Sequence, residues 1–175
     1  DDGTAAGEDL WSPQIGIGTS VLIPETYVSD LSVRLGLYRR IARMEEANDI
    51  EAFAAELIDR FGVLPNEVEH LIQIVAIKGL CRAAGVEKLD AGARGATVSF
   101  RAKAYANPSG LVEFITAQAG TAKLRPDHTL VYQRNWDDAE DRLKGVRHLV
   151  ERLAIIAQAE AVTGSSPSTA TLSNN

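Results

Sequence analysis

The chain has a single cysteine, Cys81, among 175 residues, so no intrachain disulfide can form. That scarcity fits a reducing compartment, and a cytoplasmic location is expected. Aromatic residues make up only 6 % of the sequence, so Leu, Ile, Val and Ala must supply most of the core. No apolar run approaches the roughly 20 residues that a bilayer-spanning helix needs, and no membrane partner is expected. Residues 1–13 lack the basic start of a signal peptide. Basic residues are outnumbered: the net charge is -6, which argues against a dedicated nucleic-acid binder but leaves room for a local basic patch. The Gly-containing stretch GTAAGED lacks the Lys-Ser/Thr ending of a phosphate-binding loop. There is no CxxC, no HExxH and no His/Asp run at metal spacing, so neither a metal nor a cofactor is expected in this chain.

What the chain does have is 45 % hydrophobic residues, enough for one real core. Residues 1–12 have linker composition, residues 13–161 read as one α+β domain, and residues 162–175 form a polar Ser/Thr-rich tail. The first residue is Asp1, and the sequence reads as a piece of a longer or processed protein. PQIGIGTSVLIP is extended, with Gly16 and Gly18 pointing to a sheet edge. A first helix opens at Ser29 or Asp30 and carries Leu31, Leu35, Tyr38, Ile41 and Ala42 at helical spacing. Asn48 or Asp49 caps a second helix over 50–61, ended by Gly62. Pro65 and Asn66 open a third, stopped at Gly85. The period then changes from 3.6 to 2. VEKLD and ATVSFRAK read as strands around a turn at 91–95, and NPSGLVEFITAQAG as a short helix capped by Asn107 with Pro108 at its first position. AKLRPDHTLVYQR gives two strand segments hinged at Pro126-Asp127, and a long helix follows from Asn135. Three helices, a small mixed sheet, one short and one long helix make the fold class α+β.

Residues able to do chemistry have plainer explanations. Cys81 follows Leu80 in a helix and reads as a small buried hydrophobe. His70 and Glu69 are helix neighbours pointing ~100° apart, so they cannot form a base and its orienter. His128 and His148 read as surface or satisfied core residues. Asp137, Asp138, Glu140 and Asp141 suit a helix N-terminus, where N–H groups and the dipole favour acids. No catalytic residue is assigned. Arg39, Arg40 and Arg43 form a basic helix face, a secondary candidate for contacting nucleic acid, polymerase or another acidic partner.

One segment, ELIDRFGVLP at 56–65, departs from a plain core helix. At ~100° per residue, Phe53, Leu57, Ile50, Phe61, Ala54 and Ile58 share one arc while Glu56, Asp59 and Arg60 share the opposite one. Glu56 and Arg60 stand four apart and can pair. Asp59, however, sits in the last turn, where the helix dipole is negative and disfavours an acid. An acid there points to a partner, inside the domain or outside it.

SPQIGIGTSVLIPETYVSDLSVRLGLYRRIA, ELIDRFGVLPNEVEHL and IKGLCRAAGVEKLD, in that order, resemble the carboxy-terminal domain of the bacterial transcription-repair coupling factors, the Mfd family. The resemblance runs from about Pro13 to about Ala157. Gly79 and Cys81 depart from it, where bulkier or polar residues are usual. The resemblance implies a cytoplasmic ATP-dependent DNA translocase as parent, with ATP and Mg held by an upstream motor outside this chain. It further implies that this non-catalytic domain packs on the parent's amino-terminal UvrB-like module, masks a UvrA-binding surface and restrains the motor until RNA polymerase is engaged. The interface residues it implies are Glu56, Asp59 and Arg60.

Overall fold

The computed structural model describes residues 11–163, so residues 1–10 of the expected linker and 164–175 of the expected tail lie outside the described residues. The elements are β1 (Gln14–Gly16), α1 (Leu31–Ala42), α2 (Ala47–Phe61), α3 (Asn66–Ala84), β2 (Val86–Gly92), β3 (Gly95–Phe100), α4 (Pro108–Ala117), β4 (Ala122–Leu124), β5 (Leu130–Gln133) and α5 (Ala139–Thr163). The expected order and the α+β class are both present.

Five strands form one sheet in the order β1-β2-β3-β5-β4. β1 runs parallel to β2 at one edge, with Ile15 opposite Leu89, as the two glycines suggested. The other pairs are antiparallel, and β3 meets β5 with Ala96 opposite Tyr132. Along β3, Ala96, Val98 and Phe100 face the core, the period-2 alternation of a half-buried strand. Its last three expected residues, Arg101–Lys103, leave the sheet as a tight turn.

Two hydrophobic clusters organise the interior. The larger combines the sheet, the second half of α3, α4 and α5, with Val86, Leu89, Val98, Leu130, Leu143 and Leu153 fully buried. The smaller lies between α1, α2 and the start of α3, around Ile23, Val28, Leu37, Phe53, Leu57 and Val68. α3 belongs to both, through Val68 at one end and Ile77, Cys81 and Ala84 at the other.

Local chemistry sets the helix limits. The Asp30 carboxylate accepts from the Val33 N–H at 2.9 Å and opens α1; Asn107 does the same for Gly110 on α4. Gly85 ends α3 in the left-handed conformation. α2 departs from expectation: it starts at Ala47, and neither Asn48 nor Asp49 caps it. Both lie inside its first turn, where Asp49 meets the positive dipole end instead. α5 likewise starts four residues after Asn135. The intervening Trp136 folds back into the core and packs on the helix at Gly145, where a Cβ would meet the indole at well under 3.0 Å. Arg142 ties this corner to the β1 side, donating to the Ile17 carbonyl at 3.0 Å and the Trp136 carbonyl at 3.1 Å.

The expected apolar stripe of α1 is corrected. Leu31 and Leu35 are 60 % and 43 % exposed, and Ala42 is exposed, while Leu37 and Ile41 are buried. The chain before α1 decides this register. Tyr38 accepts from the Ile23 N–H at 2.6 Å, and Arg34 donates to the Val28 carbonyl at 2.7 Å. These bonds fix which side of the helix faces the small core.

Candidate functional site on α1 and α2

α2 presents two faces. Ile50, Phe53 and Leu57 are buried, and Glu56, Asp59 and Arg60 lie on the opposite side; Ile58, expected on the core arc, stands at its border and is 50 % exposed. Gly62 closes the helix at φ 93°, a region that favours glycine, with its N–H on the Ile58 carbonyl. The Tyr27 hydroxyl reaches this end from the preceding loop and lies 3.0 Å from the Leu57 carbonyl and 2.8 Å from that of Gly62. Its ring stands 5.7 Å from that of Phe61. The helix end is thus held by a residue 30 positions upstream. No local signal in the sequence marked Tyr27.

Glu56 is the hub of the charged face. Arg40, from α1, donates to both of its oxygens, Nη1 to Oε2 at 2.6 Å and Nη2 to Oε1 at 2.9 Å. Arg60 donates to Oε2 at 2.9 Å, the i,i+4 pair expected from spacing. Both guanidinium groups also lie over aromatic rings, Arg40 5.2 Å from Phe53 and Arg60 4.9 Å from Phe61. The hydrogen bonds from Arg40, then those from Arg60, hold the Glu56 carboxyl down at about 2. The same bond raises the Arg40 guanidinium above its ordinary value. A planar, two-pronged pair of this kind fixes geometry as well as charge.

Asp59 stands beside this hub, exposed, and makes no hydrogen bond or ion pair among the described residues. Glu56, Asp59, Arg40 and Arg60 sum to zero charge, so the face is a pattern of signs rather than a field of one sign. A hollow of about 330 Å³ between α1 and α2 adjoins it, lined by Arg40, Arg43, Met44, Asp49, Ala52, Phe53 and Glu56. Of the three arginines grouped by sequence, Arg40 is engaged by Glu56, Arg43 borders the hollow and Arg39 is exposed outside its lining.

The residues suited to catalysis are dispersed. Cys81 is fully buried, and burial pushes its thiol up to about 12, far from forming a thiolate at neutral pH. His70 Nδ1 lies 3.1 Å from the Thr19 hydroxyl, and Cys81 stands eleven positions further along α3, roughly 16 Å away along the helix. His128 and His148 are exposed. Among the described residues no group of three His, Cys, Asp or Glu is arranged to hold a metal ion. No helix there is long and apolar enough to cross a membrane.

Known proteins are similar to this chain in sequence and in fold. The TRCF domain family matches residues 17–111, which include α1, α2, α3 and the whole charged face. The chain belongs to that family. A transcription-repair-coupling factor of Rickettsia conorii is 40 % identical over 131 residues, covering 75 % of this chain and 12 % of its own length. That of Escherichia coli is 29 % identical over 148 residues, covering 83 % of this chain and 13 % of its own. This TRCF domain therefore spans about one eighth of the length of the curated relatives it matches. Its fold is similar to a crystal structure of the C-terminal domain of transcription-repair coupling factor, with a TM-score of 0.71 at 20 % identity, over 85 % of this chain and 96 % of that one. The family match thus covers the α1–α2 face, and the fold likeness extends over most of the TRCF domain.

Proposed function

We propose that this domain is a non-catalytic regulatory module of a transcription-coupled DNA repair translocase. It packs on the amino-terminal UvrB-like module of its own parent, masks a UvrA-binding surface and restrains the ATP- and Mg-dependent motor until RNA polymerase is engaged. Contact with DNA runs through the parent's motor rather than through this chain. The proteins it is similar to are named transcription-repair-coupling factors, which is the basis for the parent. The observation that carries the docking role is the preset Glu56 carboxylate, clamped by Arg40 and Arg60 next to the unengaged Asp59. A side chain already fixed before contact loses less freedom on docking than a mobile one.

The energetics suit a mask that can be lifted. Partly exposed charges give register and specificity with modest net affinity. Tethering within one chain supplies an effective concentration of about millimolar for a short linker, so weak contacts suffice. Linkage then requires that whatever binds the masked surface loosens this domain in equal measure. The reading in which Arg39, Arg40 and Arg43 hold nucleic acid is less well supported, since Arg40 is already neutralised by Glu56.

The test is a titration of this domain against the separately prepared UvrB-like module, with wild type and Asp59→Arg side by side, followed by UvrA capture in the full-length parent. Weaker module binding by Asp59→Arg, and stronger UvrA capture with the fold intact, is the expected result. Capture unchanged by Asp59→Arg in the full-length protein would reduce the charged face to ordinary surface.

A further inference from the structure

Apart from the α2 charges, an apolar pocket of about 310 Å³ opens between the turn at Arg101–Lys103, α4 and the β4–β5 turn. Phe100, Tyr105 and Leu111 build its floor, with the Phe100 and Tyr105 rings 4.9 Å apart, and Phe100 and Leu111 are buried. The Tyr105 hydroxyl is turned away, donating to the Leu153 carbonyl at 2.5 Å, so the ring offers carbon to the pocket. Val112 and Leu124 form the lips and remain 59 % and 43 % exposed. A pocket of this size holds roughly ten waters' worth of volume, room for one or two large side chains.

Two independent features single this pocket out. Ala102, Lys103 and His128 are the only non-glycine residues at positive φ among the described residues, at 55°, 54° and 68°. Lys103 and His128 line the pocket from opposite walls, and Ala102 adjoins the first. Such backbone is disfavoured for residues with a side chain and persists where surrounding structure requires it. The second feature is charge. In a chain with 24 acids, no acid lines this pocket, while Lys103 and His128 do. Pro108, the first residue of α4, also lines it, and the first turn of α4 carries no acid against its positive dipole end. The nearest acids are turned elsewhere: Asp127 accepts from the Thr129 N–H at 3.0 Å, and Glu113 faces the groove between α4 and α5.

We infer that this pocket docks an acidic peptide segment of a partner protein, with one large apolar side chain in the pocket and flanking carboxylates on Lys103, His128 and the start of α4. An apolar floor supplies area, while the Lys103 ammonium and the N–H groups of the His128 imidazole supply register, the division of labour of a linear-motif site. This site shares no residue with the α1–α2 charges, so it stands or falls independently of the docking role proposed for them.

The experiment is fluorescence anisotropy of a fluorescein-labelled peptide, Glu-Glu-Leu-Phe-Glu-Glu, titrated with the 175-residue chain at low salt. Two control peptides replace Leu-Phe by Ala-Ala, or every Glu by Lys. Binding with a Kd of about 100 µM is expected, in the range of small transient contacts, and about tenfold weaker for either control peptide. Val112→Glu and Lys103→Glu, with helical circular dichroism unchanged, should each weaken it about tenfold. Val63→Glu, at an exposed site remote from the pocket, and Asp59→Arg should bind like wild type. The inference is overturned by no binding at about 1 mM chain, by equal binding of the lysine peptide, or by wild-type affinity in Val112→Glu.

Discussion

Replacing Arg40 by Ala removes the two-pronged partner of Glu56 and leaves only Arg60 on that carboxylate. The Glu56 carboxyl, now held at about 2 against an ordinary 4.5, then returns part of the way up. The sign follows from linkage. A carboxyl depressed in the folded state contributes stability that is fully present above 4.5 and lost as pH falls through about 2. Unscreened, that drop would be worth about 3 kcal/mol. The Glu56 side chain is 35 % exposed and Arg40 is 45 % exposed, so solvent screening reduces the real contribution to about 1 kcal/mol. Losing the guanidinium over Phe53 adds about 0.5 kcal/mol, the value of an exposed cation–π contact.

Arg40→Ala is therefore expected to lose about 1 to 1.5 kcal/mol at pH 7, a fall of roughly 3 to 6 °C in Tm for a domain of this size. The assay is urea unfolding from pH 7 down to pH 2 for wild type, Arg40→Ala and Glu56→Gln, with carbon NMR of the Glu carboxyls read alongside. Subtracting Glu56→Gln isolates this carboxyl from the other acids. The wild-type difference should shrink across pH 4.5 to 2, and that of Arg40→Ala should be smaller throughout. A Glu56 carboxyl that titrates near 4.5 in the wild type, or one unmoved by Arg40→Ala, would refute the clamp.

Gly145→Ala should destabilise by about 1 to 2 kcal/mol in urea melts, because crowding against Trp136 outweighs the helix-propensity gain. In a Trp136→Leu background the same change should become neutral or stabilising, and destabilisation of equal size there would disprove the steric account. Cys81→Ser should cost about 1 to 3 kcal/mol by placing a hydroxyl in an apolar interior, and the native thiol should react with a disulfide reagent only at the rate of unfolding. Fast modification of Cys81 in the folded protein would contradict its burial. Asp59→Ala should leave stability within about 0.5 kcal/mol, since Asp59 makes no bond within the described residues.

The parts of the fold legible in the sequence are those whose cause is local. Asp30, Asn107 with Pro108, and Gly85 each signal a helix boundary through bonds spanning a few residues, and each stands where expected. The α2 face was legible for the same reason, because three-to-four residue spacing suffices to pair Glu56 with Arg60. What was not legible depends on the approach of distant elements. Leu31 and Leu35 share helical spacing with Tyr38 and Ile41, yet the bonds of Tyr38 to Ile23 and Arg34 to Val28 turn only the Tyr38 and Ile41 flank of that stripe inward, together with Leu37. Arg40 reads as part of a basic run until the crossing of α1 and α2 brings Glu56, sixteen residues on, within 2.6 Å. Tyr27 and Trp136 escaped notice because each is fixed by a carbonyl or a glycine far along the chain or past a turn.

The charged hub joins two helices. Arg40 belongs to α1 and Glu56 to α2, so the orientation of the Glu56 carboxylate reports the crossing of the two helices rather than the state of one. Both helices rest on the small core, which meets the large one chiefly through α3. α3 runs nineteen residues, about 28 Å, from Asn66 to Ala84, with Val68 in the small core and Ala84 in the large one. The docking partner proposed for Asp59 and Glu56 would therefore meet a two-helix unit seated on the small core, while the sheet and α5 pack on Leu143, Val146 and Leu149 in the large one. Substitutions of the charged face should thus be felt by the small core first.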